Sequence, residues 1–512
     1  MVARTGKSKL SQELSTVEPT WTPEHVSSRD EEATPTGVSG KPDSPGAALA
    51  RPNRAPYALA ALAFVVYTTH SLLRHRRMET HGYDLGIFEQ VVRAYAHFDA
   101  PVSEIRGLGF NTIGEHFHPI LILLAPIYRV CPSAQTLLVA QAVLLAISVV
   151  PITRMASEVL GTLGGAAVGG AYAISWGIQS AVDFDFHEIC FAVPLLAFGL
   201  ERFLVGRYRA ALLWWLPLLL VKEDLGLTIA AAAVPLAFAR QRRMAALHAA
   251  IGIAGFLLTV FVILPALNPY GTFAFWGSFD GTSQNDKSNN GASLGNVPMM
   301  QLLVDLPKAM ILPEQKWMTL FTLLVPTGFI ALRSPLAAML LPTLLWRFTS
   351  DNAFYWDTRY HYSAVLMPIV FAAFLDGLRR LRAARTDWLR RYAAKAAIVP
   401  LVASLALARD FPLVDLFRGD SWRVPDRVVA ARRVLGAIPD GAQVTVTEAY
   451  APQLTSRTRV TEFPIVLPGP GYAVIEFWDN YADWGKHAVE ELTSQGFELI
   501  VEAEGTVLLR RF

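Results

Sequence analysis

Five short stretches of this sequence combine carboxylates, histidines and cations with aromatic residues, each beside a long apolar run. The first is His81-Gly-Tyr-Asp-Leu-Gly-Ile-Phe-Glu-Gln90. Asp84 there either caps the helix that follows or serves as a carboxylate base toward a hydroxyl. Phe88, Val91, Val92 and Tyr95 recur at helical spacing, so this helix is expected to lie amphipathically on a membrane surface. The second is His116-Phe-His-Pro119, where two histidines converge only from an extended segment and are too few to hold a metal alone. The third, Asp183-Phe-Asp-Phe-His-Glu188, offers hard oxygens and one imidazole. Asp183, Asp185, His187 and Glu188 suit a divalent cation (Mg, Mn or Ca) that neutralises a phosphate; the alternative is a solvated loop capping the next helix. The fourth, Lys222-Glu-Asp224, is either a tight polar turn or a lysine poised for phosphate, with Glu223 and Asp224 beside it. The fifth is Trp356-Asp-Thr-Arg-Tyr-His-Tyr362. An aromatic belt accounts for its Trp and Tyr but not for Arg359 and His361. With Arg76 and Arg77, the residues Lys222, Arg359 and His361 form a candidate phosphate-binding set, because guanidinium and imidazole groups bind phosphate oxygens well.

The elements that must position these residues are apolar. Hydrophobic residues make up 53% of the 512, charged residues only 17%, and mean hydropathy is +0.34. A soluble chain carries about 25% charge, so a soluble globular enzyme is excluded. The apolar runs are far longer than the alternating strands of an outer-membrane barrel. The fold expected is an all-α polytopic membrane protein with about eleven spans. They are read at 56–73, 134–153, 162–179, 188–205, 209–221, 225–239, 246–267, 316–332, 335–349, 361–378 and 395–409. Pro119–Val130 is shorter and contains Pro126, so it is expected at the interface rather than across the bilayer. Residues 1–54 are polar and expected to be disordered, 55–409 form the membrane domain, and 410–512 read as a small α/β accessory domain with helices at 426–437 and 482–495 and strands at 444–447, 472–477, 497–501 and 506–510. The loop 268–315 is either a flap over the site or a connector. Cys131 and Cys190 give neither a disulfide framework nor a zinc pattern.

A cytoplasmic N-terminus puts Arg154, Arg202, Arg207, Arg209, Arg240, Arg242, Arg243, Arg333 and the run from Arg379 to Arg391 inside, as the positive-inside rule requires. The five reactive stretches then all fall outside, at span ends rather than at mid-membrane. Arg74-His-Arg-Arg77 breaks the rule, which suits either an anionic ligand or a lipid headgroup.

Tyr83-Asp-Leu-Gly-Ile-Phe-Glu-Gln90, His116-Phe-His-Pro119, Phe184-Asp-Phe-His187, Lys222-Glu-Asp224 and Tyr360-His-Tyr-Ser-Ala364 together resemble a family of bacterial membrane proteins described only as predicted membrane proteins. Val444-Thr-Val-Thr447 and Leu454-Thr-Ser-Arg457 fit as well, and the resemblance covers most of 56–512. That family is in turn similar to GT-C glycosyltransferases. The similarity implies interface helices in the first outer loop and a donor sugar carried on a polyprenyl phosphate. It maps the catalytic aspartate onto Asp84 and a second acidic motif onto Asp183 and Asp185. Tyr83, Glu89, His116 and His118 join the site candidates. The expected activity is sugar transfer to an extracytoplasmic hydroxyl of a glycan, lipid or protein at the bacterial plasma membrane, with membrane lipids as partners and no nucleic acid. The competing reading is a transporter or flippase of a lipid-linked or anionic substrate, which should show ionisable groups at mid-membrane and repeat symmetry.

Overall fold

The computed structural model describes residues 53–269, 271, 312–350, 352–478 and 482–512. The N-terminal segment expected to be disordered and most of the 268–315 loop lie outside them. Helix α1 (Ala55–Arg76) starts with Pro56 in its first turn and ends in Arg74, His75 and Arg76, of which the two arginines carry charges that suit the negative end of the helix dipole. A π-helical turn, Gly82–Gly86, leads into α2 (Ile87–Ala96), whose buried face is Ile87, Phe88, Val91 and Val92. Pro119–Val130 is a short apolar helix with Ile120, Leu121 and Leu124 inward and Ile122, Leu123, Ile127 and Val130 outward.

Helix α3 (Ala134–Ala173) is broken at Gly161, where φ is 74°. Its two arms run back along each other. Gly165 lies against Ser157, Gly169 lies against Thr153, and the Tyr172 hydroxyl meets Ser148 Oγ at 2.8 Å. A left-handed backbone at the turn is open to glycine at little cost, whereas a β-carbon would strain it. Helix α4 (Trp176–Asp183) then carries the chain to the third reactive stretch.

Among the described residues four helices are long and apolar enough to cross a membrane: α1, α3, α5 (Arg242–Leu267) and a helix of Asp387–Ala408. They cover the runs expected at 56–73, 134–153 and 246–267, the 162–173 part of the run expected at 162–179, and all but the last residue of 395–409. The other apolar runs are cut into shorter helices by 3-10 segments at Pro217, Pro326 and Pro335. Two further helices matter for the site, α6 (Leu341–Thr349) and α7 (Leu366–Arg382). From Leu366 to Leu378 every residue of α7 except Asp376 is buried, the pattern of a helix surrounded by others.

The C-terminal segment holds a five-stranded sheet in the order β2-β1-β3-β5-β4. The strands are β1 (Gln443–Val446), β2 (Arg459–Glu462), β3 (Gly471–Glu476), β4 (Glu498–Ala503) and β5 (Thr506–Arg511). β1 runs parallel to β2 and β3, while β5 is antiparallel to β3 and β4. Helices α9 (Asp426–Gly436) and α10 (Ala482–Ser494) accompany the sheet, α8 being the Asp387–Ala408 helix. β2 is the strand that the sequence reading lacked. The sheet shares one core with the loop after α1: Met78, Ile87 and Ile105 pack with Val428, Val434, Tyr450, Ala451, Leu454 and Val460.

Candidate active site

Asp84 sits inside the π-helical turn, not at the cap of α2, so the capping role does not hold. The first residue of α2 has no side-chain cap at all. The turn is wedged between neighbours. A β-carbon on Gly82 would come within 2.7 Å of Ala451 Cβ, and one on Gly86 within 2.9 Å of Ile105 Cδ1. The Gly82 N–H also donates to the Glu448 carbonyl at 2.8 Å. The C-terminal ends of the sheet's first strand and its connection therefore back the turn that carries Asp84.

The Asp84 carboxylate, 22% exposed, lies 3.0 Å from Nε2 of the buried His187. His187 Nδ1 is 3.4 Å from Glu188, and Glu188 is 3.1 Å from Lys222 Nζ. Charges thus alternate along a buried chain: Asp84, His187, Glu188, Lys222. Burial alone would lower the His187 pKa, but Asp84 and then Glu188 outweigh it and raise it to about 9. The His361 ring stacks on His187 with centroids 3.5 Å apart. Among the described residues neither ring nitrogen of His361 has a partner, although the residue is buried. Phe184 and Tyr362 flank the two imidazoles.

The acidic pair is held elsewhere. Asp183 contacts His70 at 2.8 Å and Arg74 at 3.2 Å, while Asp185 contacts Arg74 at 2.9 Å and His81 at 3.1 Å. The His81 backbone N–H also donates to Asp185 at 2.6 Å, and hydrogen bonding to Asp185 raises the His81 pKa to about 8. Asp185 has φ of 56°, a strained setting for a non-glycine residue, and Gln141 pins the loop by bonding its carbonyl and the His187 N–H. Asp183 and Asp185 consequently share Arg74, whereas His187 and Glu188 bond each other and turn to Asp84 and Lys222. They do not converge as one ligand set, and no group of three or more His, Cys, Asp or Glu among the described residues is arranged to hold a metal. A divalent cation at that stretch would require these side chains to leave their present partners.

The other expected site residues divide. Glu223 takes His116 at 2.8 Å and the Phe117 N–H at 3.2 Å, and Asp224 takes Trp346 Nε1 at 2.9 Å. Burial would raise the Glu223 carboxyl, but His116 draws it down to about 2. Burial, then the Glu223 charge, pushes Asp224 up to about 6. Lys222-Glu-Asp224 is therefore a buried knot joining three segments, not a solvated turn. His118 packs edge-on against Phe88, and burial lowers its pKa to about 4. Glu89 lies away from the reactive cluster; it accepts from Tyr128 at 2.9 Å and from the Thr455 hydroxyl, fastening α2 to the sheet segment. Tyr83 is exposed and accepts from Arg106 at 2.8 Å.

Of the candidate phosphate ligands, Lys222 and His361 are at the centre. Arg359 is paired with Asp357 at 2.6 Å but leaves its side chain 78% exposed next to Tyr360, which packs on Phe184. Arg77 is paired with Glu79 at 2.7 Å, and Arg76 faces a different groove. Arg74, not Arg76 or Arg77, is the cation of that cluster which reaches the site. His70, Gln141 and Arg347 also belong to the site, though no reactive stretch of the sequence contains them. Arg347 is fully buried, bonds the Tyr355 carbonyl at 2.6 Å and Ser363 at 3.1 Å, and keeps one guanidinium nitrogen unpartnered among the described residues. Each lies inside an apolar run, where an ionisable or amide side chain is itself the signal.

Arg154 and Arg379, two of the arginines expected inside, lie at the other end of the helices. Arg154 reaches Tyr57 at 2.7 Å and Glu201 at 3.5 Å, and Arg379 reaches Glu158 at 3.5 Å. Tyr57 opens α1 and Arg74 closes it, so about 33 Å of helix, at ~1.5 Å per residue, would separate two ends of a 22-residue helix.

The family model described as "Predicted membrane protein (DUF2079)" matches residues 74–468. No curated protein matches the sequence. Two solved structures are similar in fold: ArnT from Cupriavidus metallidurans bound to undecaprenyl phosphate, at 14% identity, and the same protein in the apo state, at 13%. Each has a TM-score of 0.52 and covers 89% of this chain and 97% of the other.

Proposed function

The chain belongs to the DUF2079 family of predicted membrane proteins, and from that premise we propose that it is a glycosyltransferase acting at the membrane surface on a polyprenyl-phosphate sugar. The observation that carries the reading is a partly exposed carboxylate, Asp84, ion-paired to a buried histidine in a fold shared with ArnT, a GT-C glycosyltransferase. An acceptor hydroxyl bound at Asp84 attacks the anomeric carbon. The new carbon–oxygen bond forms as the bond to phosphate breaks; the phosphate keeps the electron pair and the hydroxyl proton passes to Asp84. His187, protonated below about pH 9, holds the Asp84 carboxylate in place through the ion pair. The His361 nitrogens, unpartnered among the described residues, and the Arg359 guanidinium, paired with Asp357 but largely exposed, are groups available to the departing phosphate, whereas Lys222 is buried against Glu188. Phosphate is already a good leaving group, so no strong acid is needed.

In this reading the site end of the helices faces outward from the bacterial plasma membrane and the sheet segment lies outside, with the N-terminus in the cytoplasm. Eleven spans remain the proposed count. The lipid-linked sugar is the donor and a glycan, lipid or protein hydroxyl the acceptor. A transporter is less well supported, because the ionisable residues of the Asp84 cluster gather at one end of the helices. The deciding experiment is mass spectrometry of envelope glycans and polyprenyl-phosphate sugars in a deletion strain. Loss of a glycan with accumulation of its lipid-linked sugar is expected, restored by the wild-type gene but not by Asp84→Asn. Unchanged glycans in the deletion strain would sink the assignment.

A further inference from the structure

Arg74 and Arg76 are two residues apart on α1, so roughly 200° of helical rotation separates them. Arg74 turns to the acidic pair, and Arg76 turns to a groove of about 410 Å³ lined by Leu72, His75, Arg76, Gln135, Arg432 and Gln453. The lining comes from three separate parts of the fold: the end of α1, the first turn of α3, and the sheet segment, through α9 and the short helix before β2. Gln453 is fixed by a bond to the His75 carbonyl at 3.2 Å, and Arg432 donates to the Arg76 carbonyl. Two guanidinium groups are thereby kept close together. Among the described residues neither has a carboxylate partner, and burial with the neighbouring Arg76 charge holds Arg432 below its ordinary value. The carbonyls at the end of α1 complement these cations only in part, and an anion in the groove would offset the repulsion that remains between Arg76 and Arg432. The groove adds two amides, and the N-terminal end of α3 opens beside it at Gln135.

We propose that this groove is a phosphate-binding site separate from the Asp84 centre, and that it takes the phosphate of an anionic lipid headgroup. Planar guanidinium forks match phosphate oxygens, and the groove lies where α1 ends, beside the apolar side chain of Leu72. The site is independent of sugar transfer: none of Gln135, Arg432 and Gln453 contacts Asp84, His187 or His361 in the structure.

The test uses the full chain, purified in neutral detergent, and native mass spectrometry with added phosphatidylglycerol or phosphatidylcholine. Wild type is expected to retain phosphatidylglycerol selectively, and Arg432→Gln to lose at least five-fold of that retention with its thermal midpoint unchanged. Gln135→Glu serves as a second variant. A carboxylate in the first turn of α3 suits the helix dipole, so folding is preserved while the groove repels phosphate. Inorganic phosphate forms a separate arm. Selective lipid retention that millimolar phosphate does not displace supports the lipid as source, and displacement supports recognition of the phosphate group itself. Equal retention of phosphatidylglycerol by wild type and both variants, with no Arg432-dependent phosphate binding, overturns the proposal whatever the outcome for transfer.

Discussion

Replacing Asp84 by Asn removes one negative charge from His187 without changing the volume of the π-helical turn. His187 titrates near 9 in the folded chain against 6.5 when free, and at ~1.4 kcal/mol per pH unit that difference is about 3 kcal/mol. The sign follows from a raised folded pKa. The stabilisation is fully present below about pH 6.5 and is lost as pH rises through about 9. Glu188 supplies part of it, so Asp84→Asn should remove a share of those 3 kcal/mol, felt most below pH 7 and vanishing by about pH 10. The measurement is the thermal midpoint of wild type and variant across pH 5.5 to 10 in the same detergent, paired with transfer from a polyprenyl-phosphate sugar in membranes. The two midpoint curves should converge at high pH, while transfer falls about 10²–10⁴-fold at neutral pH, the usual contribution of a positioned base. Parallel curves with a constant offset would refute the ion-pair argument, and undiminished transfer would refute the catalytic one.

Three other changes test separate parts of the structure. Glu188→Gln leaves Lys222 buried without its partner and should cost about 3–5 kcal/mol, most of it recovered in Glu188→Gln with Lys222→Met; a double-mutant cycle with no coupling contradicts the buried pair. His361→Ala forfeits no hydrogen bond among the described residues, so the fold should tolerate it while the donor KM rises about ten-fold; an unchanged KM removes His361 from the phosphate set. Gly82→Val drives a side chain into Ala451 and should destabilise the contact by about 1–3 kcal/mol, seen as faster proteolysis between residues 410 and 450; unaltered cleavage would show that the two surfaces do not meet as described.

Much of the fold was legible because long apolar runs and their polar ends obey simple length and charge rules. The runs at 56–73 and 246–267 became single helices, and the five reactive stretches do meet at one end. What could not be read was which charge each charge faces. Asp183 and Asp185 have the composition of a cation site, yet Arg74 and His81 occupy them, and only packing α1 against α4 reveals it. Lys222-Glu-Asp224 has the composition of a turn, but its partners at 116, 188 and 346 are distant in sequence. Strand β2 was missed because Arg459-Val-Thr-Glu462 carries a single large apolar side chain, Val460. His70, Gln141 and Arg347 were readable in principle, since each interrupts an apolar run.

The turn that carries Asp84 rests on Glu448 and Ala451, and α2 is tied down by Arg93 to the Thr455 and Thr458 carbonyls and by Gln90 to the Val460 carbonyl. These partners lie about 370 positions later in the chain. During synthesis the reactive loop therefore emerges long before its support exists. The nascent protein cannot organise Asp84 until the segment around residue 460 has been made and has folded against the turn, so half-built chains lack the arrangement around that carboxylate.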